Sequence, residues 1–511
     1  MRNPAGSTDQ GQLPIIVGVG QLVNRSEGPA DAREPLDLMI EAARAAADDA
    51  QGPSPSRGLL EGADSVQVVN TVSWAYRDAP GHLAEAIGAQ PQEKVYPAVG
   101  GNAPQWLVSR TADAIVRGDV RLAVIAGGDA MRSRARWREV AQQRWRHWSP
   151  PQQMLGDTRA GVNEIEVKHG AHIPARIYPL FETAIRAHRR RSIAEHQRHL
   201  GELCARLSQA AAENPYAWFR RARTAEEIVT VTSENRMVCF PYSKFMNAIM
   251  EVDQAAAVIM TSVAAARELG IPRERWVYLW GCADALDIWY FTERPNLHAS
   301  PALALAGRRA LEMAGLTIGD IDWFDLYSCF PCAVEMACDA LDIGEDDPRP
   351  LTVTGGLPYF GGPGNNYSMH AIASMVARLR REPQRKGLVS AMGWYVTKHS
   401  VGIYSGTPPE QEWRRRDSPE DQAELDAASH PTLAETAEGR GTVEGYSVSF
   451  DRSGQPDAAI VVGRLDEGSR FIANTAADRD LLLWMTEQEM VGRQVTVRQE
   501  PENGKGLVSI E

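Results

Sequence analysis

The hydrophobic positions of this chain fall into short β-branched runs that alternate with stretches of helical period, and the same succession occurs twice. The first apolar run, LPIIVGVGQ from Leu13, reads as a buried strand entering a glycine turn. Leu36, Met39, Ile40 and Ala43 then share one face, which predicts an amphipathic helix over 35–50. A strand over 65–72 and a helix over 82–88 follow. The glycine-rich turn AVGGNAPQ opens a helix to about Arg117, and LAVIAGGDAM reads as a buried strand ending in paired glycines. Alternation of this kind predicts a layered α/β unit.

The second succession starts with a helix over 300–315, whose apolar face holds Leu303, Ala306, Ala310 and Leu311. IDWFDLYSCF is its strand, TVTGGLPYFGGPGNNYS its glycine-rich turn, MHAIASMVARLRR its helix and GLVSAMGWY its closing strand. The matching order predicts an internal duplication. One half spans 13–130 and is completed by about 236–268, where DQAAAVIMTS returns to strand; the other spans 270–407. Between them, 131–235 has helical period, proline breaks and no clear strand. Residues 408–440 are charged, proline-containing and aperiodic, and read as a linker. From 441 to 511 come GTVEGYSVSF, AAIVVGRL, SRFIANT, RQVTVRQ and GLVSIE, separated by turns such as DRSGQPD and PENGKG. Short strands at that spacing predict an additional small β-barrel domain, OB-like in pattern. Cutting near Pro408 is expected to leave a cooperatively folded core.

Composition narrows the class. A chain of 511 residues is long enough for about three domains, and 43% hydrophobic with 23% charged residues is ordinary for a soluble fold. The longest apolar stretch, Ala248 to Ala266, is broken by Glu251 and Asp253, so no membrane span is expected. The opening MRNPAGSTDQGQLP lacks the apolar segment of a secretory signal, which points to a cytoplasmic location. Six cysteines in this length make no disulfide framework. Cys329 and Cys332 have no second pair to complete a zinc site, so no metal is expected. A net charge of -12 argues against nucleic acid as a partner. Against that acidic background RSRARWREVAQQRWRHW, RAHRRRSIAEHQRH and FRRAR concentrate positive charge in 131–235. Such runs are either solvated helix faces or a lid over a polyanionic ligand. Gly18-Val19-Gly20 lacks the third glycine of a dinucleotide fingerprint, and GGPGNNYS lacks a phosphate-loop lysine.

Several of these segments, in order, resemble the thiolase superfamily, and within it the sterol-carrier-protein-2 type. SPALALAGRRALEMAGLTIGDIDWFDLYSCF is similar to the family's helix and strand ending in a His/Tyr-Asp-Cys-Phe motif, here Tyr327-Ser328-Cys329-Phe330. GGLPYFGGPGNNYS stands where the family has a Gly-His-Pro loop. VGGNAPQWLVSRTADAIVRGDVRLAVIAGGDAM is similar to the nucleophile loop, its helix and the next strand. The resemblance covers about 13–407. It implies a duplicated layered thiolase fold with a helical lid insertion, to which the C-terminal barrel is added.

The resemblance also implies chemistry: a cysteine at a helix N-terminus takes an acyl group from a thioester, a histidine activates it, and a second cysteine moves the α-proton. This chain departs at each place. Gly100 occupies the nucleophile's position, Gly362 the histidine's, and Ala391-Met392-Gly393 the second cysteine's; Ser328 replaces the motif aspartate. Loss of one covalent nucleophile can cost about a million-fold in turnover, so ordinary thiolase activity is not expected. The polar residues left around the implied cavity are Tyr327, Ser328, Cys329, Asn365, Asn366, His370, Lys398 and His399. Tyr327, Cys329, His370 and His399 are the candidate catalytic groups. Cys329 would be either a dipole-activated thiolate or a small buried hydrophobe, and each histidine either catalytic or a core residue. Asn365 and Asn366 would bind ligand or cap a helix. Gly100, Gly101, Asn102 and Gly362 are candidate ligand contacts. Arg132, Arg134 and Arg136, with the arginines between Arg186 and Arg191, are placed to meet the phosphates of coenzyme A.

The function implied is that of a thiolase-like, acyl-CoA-handling protein acting as a divergent acyltransferase of lipid metabolism. Coenzyme A or acyl-CoA would be its ligand, with no covalently bound cofactor, and a homodimer is compatible. The alternatives are a non-catalytic acyl-CoA-binding or regulatory protein and single-stranded nucleic-acid binding by the barrel. The latter would use Tyr446, Phe450, Phe471 and Trp484.

Overall fold

The first half contributes β1 (Pro14–Val23), β2 (Ser65–Val68), β3 (Glu93–Val95) and β4 (Leu122–Ala130). After an excursion carrying β5 (Met237–Phe240) and β6 (Tyr242–Ser243), it adds β7 (Asp253–Ser262). The second half contributes β8 (Val277–Leu286), β9 (Trp323–Asp325), β10 (Lys386–Gly393) and β11 (Lys398–Ser405). In this computed structural model, which describes residues 10–51, 57–500 and 504–510, both halves join one sheet in the order β3-β2-β4-β7-β1-β8-β11-β10-β9. The first nine residues, part of the opening segment read for a signal, and the first three residues of the PENGKG turn lie outside the described residues. The seam is short, pairing Ile15 with Tyr278 and Ile16 with Val277. Outward from it, β1-β7-β4-β2 and β8-β11-β10-β9 repeat the same pattern: two antiparallel pairs, then a parallel one. The duplication inferred from sequence is therefore a duplication of topology.

Helices follow the same symmetry. Helix Pro35–Gln51 packs on β1 and helix Pro301–Ala314 on β8, one on the outside of each half. Helices Ala103–Arg117 and Tyr367–Arg381 lie against each other and touch strands of both halves. Gly20 in β1 and Gly281 in β8 explain how closely the outer helices approach. A Cβ on Gly20 would collide with the carbonyl of Ala42, and one on Gly281 with that of Ala310. The glycines of the first strand thus do not make the expected turn, and β1 runs straight through Gly18 and Gly20 to Val23. Likewise β4 continues through Gly127 and Gly128; the missing side chain of Gly127 admits Asn366 from the other half, and that of Gly128 admits Ala255 of β7.

The C-terminus is a closed five-stranded barrel of β12 (Gly439–Phe450), β13 (Pro456–Leu465), β14 (Arg470–Thr475), β15 (Gln494–Gln499) and β16 (Gly506–Ile510). Tyr446 and Phe471 are fully buried in its core, Arg493 lies over the Trp484 ring, and Phe450 is half-buried. The sequence reading missed helix Arg479–Glu487 between β14 and β15. Asp478 caps it by accepting from Leu481 N at 3.0 Å, and Leu482 and Met485 bury into the barrel.

The barrel is fastened to the layered body. β5 pairs with β12, Val448 opposite Phe240. Buried Arg470 donates to Glu444 and, at 3.2 Å, to the carbonyl of Thr292. The segment 408–440, aperiodic in sequence, holds helix Pro419–Asp426 and places Trp413 in the core, its indole N–H on Leu279 O at 2.8 Å. No helix among the described residues is long and apolar enough to cross a membrane.

Candidate active site

Helix 103–117 starts beneath the seam, and its entry loop is the Gly100-Gly101-Asn102 run. The two glycines make room for side chains of the second half. A Cβ built on Gly100 would stand 2.6 Å from Asn102 Oδ1, 2.7 Å from Lys398 Cε and 2.9 Å from Lys398 Nζ. One built on Gly101 would collide with the Tyr327 hydroxyl. Where the family resemblance would seat an acyl-accepting thiol, this chain therefore holds the amine of Lys398.

Lys398 opens β11, opposite Leu286 of β8 and Gly393 of β10. It is delivered there by a tight β10–β11 turn in which Trp394 and Val396 have φ of 55° and 58°, the left-handed region that a β-branched residue rarely enters. Such strain costs about 1–3 kcal/mol and persists only where neighbours hold it. Arg294 does so by donating to Tyr395 O at 2.8 Å and Thr397 Oγ1 at 2.9 Å, and Tyr178 donates to Trp394 O at 2.8 Å. Lys398 is 8% exposed, and its Nζ donates to Val99 O at 2.5 Å. Burial pushes its ammonium down to about 8, against an opposing pull from Asp157.

The amine faces a cleft of about 230 Å3 walled by both halves. Asn102 and Trp106 come from the first half, Asp284 and His399 from the second, Asp157 from the inserted segment and Gln422 from the segment before the barrel. Asn102 Oδ1, Asp284 Oδ1 and His399 Nδ1 are buried there without a hydrogen-bond partner. Unpaired buried acceptors are costly, and these three belong to residues that wall the same cleft. The opposite nitrogen of His399 is engaged, Nε2 lying 3.2 Å from Asp287 Oδ2 and 3.1 Å from Ser300 Oγ.

The other candidates go elsewhere. His370 is fully buried, with Nδ1 2.9 Å from Gln21 Oε1, and burial pulls its imidazole down to about 3, so it stays neutral. Asn365 and Asn366 neither cap helix 367–381 through their side chains nor line the cleft. They donate to Asn70 O at 2.8 Å and Gly127 O at 2.7 Å, stitching the two halves together. Gly362 donates from its backbone to Ile249 O at 2.8 Å. Tyr327 covers Gly101 with a hydroxyl whose ionisation burial strongly opposes. Cys329, read from sequence as either a dipole-activated thiolate or a small buried hydrophobe, is 7% exposed, and burial drives its thiol up to about 12. Desolvation outweighs the helix dipole here. All six cysteines are buried and free.

The basic insertion is divided. Arg186 is paired with Glu489, Arg189 with Glu335 and Asp339, and Arg191 with Glu345, so those charges are already neutralised. Arg132 and Arg25 instead flank the Trp218 ring at 5.5 and 5.0 Å, with Arg220 near enough to depress the Arg25 guanidinium after burial has done so. Arg134 and Arg136 are exposed on the same short helix as Arg132. Among the described residues, two groups come within metal-ligating reach, Glu182 with His196 and Glu335, and His199 with Glu335 and Glu345. The first is internally bonded, with His196 Nε2 2.6 Å from Glu182 Oε1 and Tyr242 donating to Glu182 Oε2 at 2.6 Å. Sequence reasoning passed over Asp157, Asp284 and Gln422; they lie in unrelated segments and carry no motif.

A duplicated five-plus-four-stranded layered body with a Gly-Gly-Asn loop at a central helix start, followed by a closed barrel, defines the thiolase-like class. Residues 420–502 match the family described as the thiolase-like protein type 1 additional C-terminal domain. The structure superposes on that of a monomeric SCP2-thiolase-like protein type 1 from Mycobacterium smegmatis with a TM-score of 0.84 and 36% identity, over 98% of this chain and 99% of that one. The chain belongs to this family, the SCP2-thiolase-like proteins of type 1. More distant relatives include an acetyl-CoA acetyltransferase from Methanothermobacter thermautotrophicus, 28% identical over 39% of this chain and 53% of that protein. A 3-ketoacyl-CoA thiolase from Salmonella paratyphi B is 25% identical over 73% of this chain and 86% of that protein.

Proposed function

We propose that this protein binds an acyl-CoA with the acyl end in the cleft beside Lys398, and that it does not carry the acyl group on cysteine. The observation that carries this reading is the amine of Lys398 packed over Gly100, the position that the resemblance assigns to the family's thiol. The unpartnered Asn102 Oδ1 and His399 Nδ1 supply polar contacts for the ligand. Arg132 and its exposed neighbours Arg134 and Arg136 offer charge for phosphates. The divergent acyltransferase reading survives only as a reaction not routed through a cysteine, and the binding-protein reading is the limiting case with no turnover.

Calorimetry with coenzyme A, acetyl-CoA and hexanoyl-CoA, alongside a thiolysis assay, tests the proposal. Binding that weakens as salt rises, with no thiolysis, is expected. Absence of binding by all three, or thiolysis with an acyl group trapped on a cysteine, overturns it.

A further inference from the structure

The chain has six lysines, Lys94, Lys168, Lys244, Lys386, Lys398 and Lys505, against a total of 54 basic residues. Five are exposed or half-buried, and Lys398 alone is buried. It is also the one set at a reacting position, above the bare Cα of Gly100 and at the floor of a cleft open to solvent. The cleft's 230 Å3 is the share of about seven or eight waters at ~30 Å3 each, enough for the reacting end of an acyl chain and too small for the whole of coenzyme A.

We propose that Lys398 captures a keto or aldehyde carbonyl of the bound ligand as a Schiff base. This rests on the ligand-binding reading above and adds to it a covalent step. Nζ attacks the carbonyl carbon, and the C=O double bond becomes the C–OH of a carbinolamine. That hydroxyl leaves as water, and a C=N bond forms. Counted from the ammonium, Lys–NH3+ and R2C=O give Lys–NH+=CR2 and one water, so both hydrogens of the water come from the amine and no oxidant or reductant is needed. The positions of the neighbours suit this. Val99 O accepts from Nζ and aims it, while Asn102 Oδ1 and Asp284 Oδ1 stand unpaired in the same walls to receive the carbinolamine hydroxyl. Burial keeps a sizeable share of the amine unprotonated near neutral pH, as a nucleophile requires. A thioester carbonyl would instead acylate the amine irreversibly, so the ligand class that permits turnover is an oxo-acyl compound.

The test uses the full chain and two probes. Acetoacetyl-CoA carries both the CoA and the oxo group; pentane-2,4-dione carries reactive carbonyls and needs no CoA site. Each is incubated with the protein with and without sodium borohydride, and adducts are mapped among the six lysines by peptide mass spectrometry. The expected result is a borohydride-dependent adduct of acetoacetyl-CoA on Lys398, with pentane-2,4-dione modifying Lys398 at least about tenfold faster than any other lysine at pH 8. That margin is conservative, since an amine of pKa near 8 is about half neutral there and one near 10.4 less than about 1%. Lys398→Arg and Lys398→Met, neither of which can condense, should both lose the two adducts while still melting cooperatively. If calorimetry shows that acetoacetyl-CoA binds and no reducible adduct forms on Lys398, the Schiff base is overturned and the binding proposal stands. If pentane-2,4-dione selects Lys398 but the CoA ester does not bind, the amine assignment stands and the acyl-CoA reading falls. Preferential labelling elsewhere, or a borohydride-independent acyl adduct on Lys398, overturns the inference.

Discussion

Adding one methyl group at Gly100 tests whether Lys398 occupies the reacting position. In Gly100→Ala the new carbon would stand 2.7 Å from Lys398 Cε and 2.9 Å from Nζ, as well as 2.6 Å from Asn102 Oδ1. Carbon atoms prefer about 3.5–4.0 Å, so the lysine must retreat by about 1 Å within a site only 8% exposed. Overpacking of this kind costs about 1–3 kcal/mol. Displacing the ammonium from Val99 O adds a charged hydrogen bond of about 1.5–3 kcal/mol, partly recovered by repositioning, for a total of about 2–4 kcal/mol. In a Lys398→Ala background two of the three close contacts disappear, and the same methyl should cost about 1 kcal/mol or less. The coupling in a double-mutant cycle is then at least about 1 kcal/mol. With an unfolding entropy of about 2 cal/mol/K per residue, a chain of 511 residues shifts its melting temperature by about 1 °C per kcal/mol. Differential scanning fluorimetry of the four proteins should give a drop of about 2–4 °C for Gly100→Ala alone and about 1 °C or less when Lys398 is absent. Equal drops in both backgrounds would show that the lysine does not stand over Gly100, and the reading of the site would fall with that result.

Further outcomes follow from burial. Native protein at pH 8 should leave Cys329 unlabelled by iodoacetamide, more than about 1,000-fold slower than a free thiol of pKa about 8.5, because its thiol is raised to about 12; rapid alkylation at that residue would refute this. Lys398 has a folded value near 8 against 10.5 unfolded, so the folded state binds fewer protons between those values and stability should rise with pH across that window. The swing is on the order of 3 kcal/mol, and a Lys398→Met chain, compared by melting at pH 8 and 10, should lose it. His370 behaves in the same sense lower down: its imidazole is pulled to about 3, so stability held above about pH 6.5 drains away toward pH 3, and His370→Gln should flatten that limb. Cutting the chain near Pro408 should abolish cooperative melting, against the expectation from composition. The cut removes Trp413 from the core and leaves Asp284 without Arg415, its partner at 2.7 Å; a truncated chain melting sharply would show that the segment is dispensable.

Much of the architecture was readable in one dimension because it depends on periodicity. Alternating buried runs and amphipathic helices specified two like halves, and short strands with turn residues specified a barrel, since local patterning decides which face of each element must be buried. The family resemblance, not the patterning, implied that Gly100, Gly362 and Ala391 stand where a reactive side chain was expected. It could not show what fills the vacated volume, because that depends on which distant segments meet. Gly18 and Gly20 looked like a turn and proved to be a close contact with a helix carbonyl row. Asn365 and Asn366 read as caps or ligand contacts and became ties between halves, through carbonyls 295 and 239 residues away in sequence. Cys329 had the local signature of an activated thiol, and burial, a property of the whole packing, reversed the sign of its shift. Lys398 was only one polar residue among several in the sequence. Its place over Gly100, set by a strained turn that Arg294 and Tyr178 hold from separate elements, exists only once the chain has folded.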